Sequence, residues 1–159
     1  RWLRGGLDSS RQRRIKMPDP EDCHLAQLVN EPIPVEKYTR WLGEPGCGAV
    51  LLFCGNVRDT NRGQSVVRID YHAHESMARK QLTRITASLV EAGAHRALAI
   101  HRLGTLEVGE TSILLGVSLA HRRDGFGLLE QGMERVKADV PIWKHEQYQD
   151  GTVAWIEGS

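Results

Sequence analysis

The stretch that organises the rest of the chain is KADVPIWKHEQYQD, which runs from Lys137 to Asp150. It contains two lysines seven residues apart, Lys137 and Lys144, and a carboxylate, Glu146, two residues beyond the second lysine. Because Trp143 directly precedes Lys144, we expect that ammonium group to be partly desolvated, which disfavours its charged form. Such a lysine can act as a nucleophile, a base or an anion clamp. The alternative is a core tryptophan flanked by ordinary surface lysines.

The segment before this stretch, residues 124–139, has the apolar spacing of a helix that carries Lys137 in its last turn. We expect Asp124 to cap the helix start, where three basic residues and free backbone N–H groups would suit an anion. In the alternative reading, Lys137 only complements the helix dipole. The basic residues are His121, Arg122 and Arg123, and the positions expected to be buried are Phe126, Leu129, Met133 and Val136.

Strand and helix patterns alternate through the remaining sequence. The predicted strands are residues 48–55, 66–72, 96–103 and 111–120, and the predicted helices are residues 35–42 and 75–92. The continuous apolar run at 48–55 indicates a buried central strand, and Met77 is expected to fill the core. The tail, 151–159, is either an edge strand or an interface segment. Together these patterns predict an α+β domain with a mostly antiparallel sheet and flanking helices.

A polar loop, VRDTNRG at residues 57–63, follows the first of these strands. Arg58 and Arg62 in this loop could together hold a phosphate through paired hydrogen bonds. The alternative is an ordinary solvated hairpin loop.

Composition limits the classes of function that the chain can have. Its 159 residues suffice for one domain, which we assign to residues 17–159. Arginine-rich residues 1–16 are expected to be a disordered basic arm, or residues from cloning or a misplaced start. The net charge of +1 provides no overall field for nucleic acid or an anionic membrane. No apolar run is long enough to span a membrane, and no secretory signal is visible.

The cysteines and histidines argue against a metal centre. Cys23, Cys47 and Cys54 lack CxxC spacing, which fits a reducing cytoplasm better than a disulfide framework or a structural zinc site. The histidines lack HExxH spacing, and no Walker loop, GxGxxG motif, GxSxG elbow or acidic magnesium cluster is present. We therefore expect no metal and no cofactor, and predict lysine and arginine chemistry on an anionic substrate if the basic clusters converge on one rim.

Five strings, in this order and spacing, resemble the catalytic (large) subunit family of molybdopterin synthase over about residues 30–155. They are GAVLLFCGNVRDTNRG, YHAHESMARKQL, IHRLGTLEVGE, SLAHRRDGF and VKADVPIWKHE. The resemblance implies an α/β-hammerhead fold and a homodimer in which each chain binds a small ubiquitin-like sulfur carrier, giving a heterotetramer. It also implies that the carrier's C-terminal Gly-Gly thiocarboxylate delivers sulfur to cyclic pyranopterin monophosphate, which forms the dithiolene of molybdopterin.

The same resemblance implies roles for six residues. Lys137 and Lys144 match the family's two active-site lysines, with the closer catalytic role assigned to Lys137. Glu146 matches the acidic residue that positions Lys144. The expected substrate-binding residues are Arg58, from the G-x-V-R motif, and the pair His121 and Arg122. The family often has a lysine at the position of Asn56, and its bacterial members tend to carry a basic residue after the last tryptophan, where this chain has Ile156 after Trp155.

Two other classes of function remain open from the sequence. One is a non-catalytic module that binds an anion or nucleotide on the same basic surface. The other is an RNA-binding domain that uses residues 1–16, for which binding should weaken steeply with salt.

Overall fold

The computed structural model describes residues 15–157. The predicted basic arm, residues 1–16, lies almost entirely outside this part of the chain. None of the helices within residues 15–157 has the length and apolar character needed to cross a membrane.

Strands and helices occupy most of the described chain. The strands are β1 (His24–Val29), β2 (Ala49–Asn56), β3 (Thr60–Asn61), β4 (Gln64–Ala73), β5 (Arg96–Arg102), β6 (Gly104–Glu107), β7 (Thr111–Leu119), β8 (Ile142–Tyr148) and β9 (Val153–Glu157). The helices are α1 (Val35–Leu42), α2 (Glu75–Glu91) and α3 (Gly125–Asp139), and a 3₁₀ turn (Arg122–Asp124) directly precedes α3.

The first sheet has the strand order β1-β5-β7-β2, with β1 parallel to β5 and the other pairs antiparallel. Successive side chains of β5 enter two different core clusters, because alternate residues of a strand lie on opposite faces. Ala97 and Ala99 belong to the cluster that includes the buried side chains of α2 and α3. Leu98 and Ile100 belong to the cluster formed with α1. Helices therefore cover both faces of this sheet.

The second sheet has the order β3-β4-β8-β9, and β6 also pairs with β4. All of its strand pairs are antiparallel. In the register of β4 and β8, Tyr71 lies opposite Lys144 and Ile69 lies opposite Glu146. Ile69 and Tyr71 are buried in the same core as α2 and α3. The register therefore places Lys144 and Glu146 on the inner face of this sheet.

The predicted α+β class, with mostly antiparallel sheets and flanking helices, is confirmed. The prediction of a buried central strand at 48–55 is wrong, because β2 is one of the two edge strands of its sheet within the described residues. Val50 and Phe53 on this strand are 38% and 39% exposed. Leu51 packs into the core with α2 and α3, and Leu52 packs on the opposite face against the core with α1. Val50 and Phe53 also lie on opposite faces, so their exposure reflects the edge position of the strand, which an apolar run does not reveal.

Three other local expectations are also wrong. Met77 and Phe126 are 51% and 66% exposed, because the first turns of their helices pack inward through Ala78 and Gly125 instead. Asp124 makes no capping hydrogen bond through its side chain. The 3₁₀ turn brings Asp124 into helical geometry (φ −87°, ψ −13°), whereas a capping residue has extended geometry.

Candidate active site

The central pair of the candidate site lies on β8. Lys144 and Glu146 are two residues apart on a strand, so both side chains lie on the same face. The Lys144 Nζ atom is 3.5 Å from Oε1 of Glu146. The lysine side chain is 22% exposed, while Glu146 is only 2% exposed. The strand thus holds an ammonium group at the surface against a buried carboxylate.

The carboxylate of Glu146 is held by two further donors. Asn61 Nδ2 and the Tyr148 hydroxyl each donate a hydrogen bond of 2.7 Å to Oε2, which leaves Oε1 facing Lys144. Burial by itself raises the pKa of Glu146, but these two hydrogen bonds and the charge of Lys144 outweigh it, so the pKa lies below its ordinary value. Glu146 is therefore ionised at neutral pH and orients Lys144.

A small cavity of about 50 Å³ opens beside this pair. Its lining includes Asn56, Arg58, Asn61, Tyr71, Lys144 and Glu146. Arg58 is exposed, and the buried residue before it, Val57, fixes the loop by donating its N–H to the carbonyl of Glu110 at 2.9 Å. The loop after β2 and the middle of β8 therefore bring two cations to one opening.

A buried imidazole lies near the same cavity. His101 on β5 is fully buried, and its ring meets the ring of Tyr71 edge-on at 5.2 Å. Burial lowers the pKa of His101 to about 4, and the charge of Lys144 contributes in the same direction. Burial also raises the pKa of Tyr71. Both groups are thus neutral at pH 7, so the ammonium of Lys144 adjoins neutral polar side chains on this side.

His121 and Arg122 lie in a different, more open depression. This groove has a volume of about 790 Å³, and Gly48, Ala120, Arg123 and Phe126 also line it. The side chains of His121 and Arg122 are exposed and have no hydrogen bond or ion pair within residues 15–157. Their positions follow from the 3₁₀ turn that links β7 to α3.

Lys137 occupies a third position. It is exposed in the last turn of α3 and belongs to the lining of neither the cavity nor the groove. Within the single chain, Arg58, Lys144 and Glu146 are brought together, whereas His121 with Arg122, and Lys137, are not part of that cavity. The expected convergence of all basic clusters on one rim is therefore not found within one chain.

The expected desolvation of Lys144 by Trp143 is wrong. Adjacent residues of a strand point to opposite faces, and Trp143 stacks on His72 of the outer face, with ring centroids 6.4 Å apart. On that face His145 stacks on Trp155 at 4.4 Å. The partial burial of Lys144 comes instead from the inner face that it shares with Tyr71 and Glu146.

The residues that hold Glu146 were not predicted from the sequence. The alternation of Glu146 and Tyr148 could have indicated a shared strand face, but only after residues 142–148 were assigned to a strand. Asn61 gives no such signal, since it is 85 residues away and reaches Glu146 through the β3–β4 hairpin. His101 was not predicted as a site residue.

Comparisons with known proteins now add to this geometry. Residues 28–139 match the family model described as MoaE protein. The chain is 37% identical over 142 residues to the molybdopterin synthase catalytic subunit of Arabidopsis thaliana, covering 87% of this chain and 71% of that protein. It is 36% identical over 131 residues to the Bacillus subtilis catalytic subunit, covering 82% and 83%.

Two solved structures share the fold. A molybdopterin synthase structure from Staphylococcus aureus superposes with a TM-score of 0.76 at 34% identity, covering 81% of this chain and 94% of that one. A complex of subunits 1 and 2 of the molybdopterin-converting factor from Helicobacter pylori gives a TM-score of 0.70 at 18% identity, covering 83% and 90%. The fold predicted from the resemblance is thereby confirmed.

Proposed function

Because the chain belongs to the MoaE protein family, we propose that the cavity around Lys144 is the place where it carries out sulfur transfer. Members of this family are catalytic subunits of molybdopterin synthase, and sulfur transfer in molybdenum cofactor biosynthesis is the activity of this chain. The observation that carries the site assignment is the ion pair of Lys144 with the buried, doubly hydrogen-bonded Glu146. Burying a charged carboxylate costs free energy, and a carboxylate that served only solubility would lie at the surface. The burial and pairing of Glu146 therefore support a functional role for Lys144.

The sulfur donor in this proposal is the thiocarboxylated C-terminus of a small carrier subunit. The Helicobacter pylori structure is a complex of two subunits, and we extend that arrangement to this chain. A terminal Gly-Gly segment suits an opening of about 50 Å³, because residues without side chains can approach the cavity wall closely. The carrier's negatively charged end would meet the cations Arg58 and Lys144 at this opening.

The acceptor in this proposal is cyclic pyranopterin monophosphate. Its phosphate requires donors with a fork geometry, which Arg58 and Arg122 provide, and His121 adds a further donor beside Arg122. Attack of the thiocarboxylate sulfur on a side-chain carbon of the pterin forms a C–S bond and displaces an oxygen, on which negative charge develops. Water then cleaves the acyl C–S bond, which leaves the sulfur on the pterin and returns the carrier as a carboxylate. The ammonium of Lys144 stabilises the charge on the displaced oxygen and orients the carrier's end, while Glu146 holds the lysine in place.

Lys137 keeps its assignment as the acid–base or transient covalent partner. Its ammonium group is solvent-exposed at the end of α3, so it joins the reaction once a bound partner covers that surface. The proposal for Lys144 rests on the cavity geometry, whereas that for Lys137 rests on the family match of the K-x5-WKxE spacing.

We also propose a homodimer that binds one carrier per chain. The Lys144 cavity and the His121–Arg122 groove have separate linings in one chain, and a second copy is the simplest way to bring such surfaces together. Exposed apolar side chains on two of the edge strands suit such contacts. They are Val50 and Phe53 on β2 and Val153 and Trp155 on β9. The three free cysteines fit the reducing cytoplasm, where we place the reaction.

The decisive experiment mixes the purified chain with a thiocarboxylated carrier and the pterin precursor, and measures dithiolene product. We expect product with the wild-type chain and a large loss with Lys144→Arg, because the longer, planar guanidinium cannot occupy the position of the ammonium beside Glu146. A non-catalytic anion-binding module would bind the precursor without forming product, and it would tolerate Lys144→Arg. Either result would overturn the site assignment.

A further inference from the structure

Three potential metal ligands lie together outside the site described above. Glu44 and Cys47 belong to the turn that links α1 to β2, and His95 directly precedes β5. The Cys47 N–H donates to the Glu44 carbonyl at 2.9 Å, which closes the turn, and the His95 N–H donates to the Ser118 carbonyl at 2.7 Å. Main-chain hydrogen bonds therefore hold both segments of this cluster.

The three side-chain donor atoms have spacings close to those of a metal site. The Cys47 Sγ atom is 3.5 Å from His95 Nδ1, the Glu44 Oε1 atom is 2.9 Å from the same nitrogen, and Sγ is 3.7 Å from Oε1. A tetrahedral zinc ion, with bonds of about 2.3 Å to sulfur and about 2.0–2.1 Å to nitrogen and oxygen, separates its ligands by roughly 3.3–3.6 Å. Shifts of a few tenths of an ångström would thus accommodate the ion.

Without an ion, the Oε1 atom of Glu44 can accept from both the Cys47 thiol and the Nδ1–H of His95. All three donor atoms nevertheless face one another, since the Cys47 sulfur also lies within contact of Nδ1. A cation at the centre of the three atoms would replace these hydrogen bonds, with the thiol and the imidazole giving up their protons. A thiolate and a carboxylate supply two negative charges, which match a divalent ion.

The surroundings support this arrangement. Arg96 Nε lies 3.7 Å from Oε2 of Glu44, the oxygen that does not face His95, so the guanidinium orients the carboxylate and leaves Oε1 available. Arg96 is itself fixed, with its guanidinium carbon 5.2 Å from the centroid of the Trp41 ring. The His95 and Glu44 side chains are 34% and 31% exposed, which gives an ion a path from solvent.

We propose that Glu44, Cys47 and His95 bind a zinc-like divalent cation with three protein ligands and a fourth position open to solvent. Bound metal ties the turn after α1 to the start of β5. The turn continues into Gly48, which lines the His121–Arg122 groove and donates its N–H to the Leu119 carbonyl at 3.0 Å. The ion would thus stabilise one wall of that groove. This inference does not depend on the proposed function.

The test uses the reduced full-length chain and Co²⁺ as a spectroscopic substitute for Zn²⁺. We expect one equivalent of Co²⁺ to produce a thiolate-to-metal charge-transfer band that Zn²⁺ displaces. Cys47→Ser should abolish the band and weaken binding at least about 100-fold, since a lost ligand matters more than a lost outer contact. Cys54→Ser is the matched control, because it removes an exposed free cysteine elsewhere and should leave both unchanged.

Two further variants test the other ligands. His95→Gln and Glu44→Gln should each weaken binding, and Zn²⁺ should raise the Tm of the wild-type chain but not that of Cys47→Ser. If the wild-type chain shows neither the band nor a Tm shift, the cluster is a hydrogen-bonded trio only and the proposal fails. It fails equally if Cys54→Ser loses the band, or if His95→Gln keeps wild-type affinity.

Discussion

Two cationic regions of this molecule differ in how their charges are held. Lys144 lies on a central strand and is held against a buried carboxylate that has two other hydrogen-bond donors. His121 and Arg122 lie on an exposed turn, and within residues 15–157 their side chains have no such partner. The first region is organised without a substrate, whereas the second would gain its order from the anion that we propose it binds. Preorganised charge contributes to the chemical step, and adaptable charge contributes mainly to binding.

The largest effect should follow from replacing Lys144. Lys144→Ala removes the cation beside Glu146, and we expect dithiolene formation in single turnover to fall by about 10²–10⁴-fold, the usual contribution of such a group. Far-UV circular dichroism should stay unchanged. Lys137→Ala should cause a comparable loss if Lys137 joins the same reaction. Lys80→Ala, on the exposed face of α2, is the control. Near-normal turnover in both active-site variants would contradict the assignment.

The next effect concerns acid sensitivity. The pKa of His101 falls from 6.5 to about 4 on folding, so the unfolded chain binds more protons in this interval. Above pH 6.5 the imidazole is neutral in both the folded and the unfolded state, so it does not oppose folding. As the pH falls from 6.5 towards 4, only the unfolded state gains the proton, and the free energy of unfolding falls by about 3 kcal/mol in total. Urea unfolding across this pH range should show that decline, and His101→Asn should flatten it. If His121→Asn flattens the decline equally, the acid sensitivity does not come from the buried His101, and the contrast between buried and exposed groups is wrong.

A smaller effect is expected for Glu146. Glu146→Gln removes the charge that pairs with Lys144 and turns an amide N–H towards the ammonium, while Asn61 and Tyr148 still donate to the remaining oxygen. We expect a loss of about 2 kcal/mol in the free energy of unfolding at pH 7, measured with urea. Glu130→Gln, an exposed change on α3, should stay within about 0.5 kcal/mol. Equal losses in the two variants would show that Glu146 is not specially held.

The smallest effects should come from the exposed arginines. Arg58→Ala and Arg122→Ala should each weaken precursor binding about 10-fold, the value of one good charged contact, with unfolding free energies unchanged. Isothermal titration of the assembled enzyme would measure this, with Arg79→Ala on α2 as the control. If Arg58→Ala instead slows single turnover at unaltered affinity, its role as a phosphate clamp is wrong.

Much of the fold could be read from periodicity. The helix at 35–42 was predicted to the residue, because Pro32 and Pro34 precede it and a turn at 44–46 follows it. The helix at 75–92 was predicted within one residue of its end, because apolar spacing and Gly93 mark it. Edge and centre could not be distinguished for β2, since an apolar run records hydrophobicity but not the number of neighbouring strands. The exposure of Phe126 could not be predicted either, since apolar spacing does not show that the first turn of α3 packs on the sheet through Gly125.

Part of the candidate site was also predicted from the sequence, and part was not. The resemblance of the WKxE string to the family predicted Lys144 and Glu146 as a pair, and the structure places them on one face of β8. The partners of Glu146 could not be identified from spacing, since Asn61 arrives from a hairpin 85 residues earlier. The cluster of Glu44 and Cys47 with His95 was missed for the same reason, its ligands being up to 51 residues apart.

The sequence by itself determined the fold class, the family and the residue types of the chemistry, since each is recorded in local order and spacing. Only the tertiary structure decided which charges meet: Arg58 and Lys144 share a cavity, while His121 with Arg122 and Lys137 lie elsewhere in the single chain. The physical reason is that burial and the pairing of charges depend on strand register and on contacts between distant segments. These quantities arise only when the sheets pack.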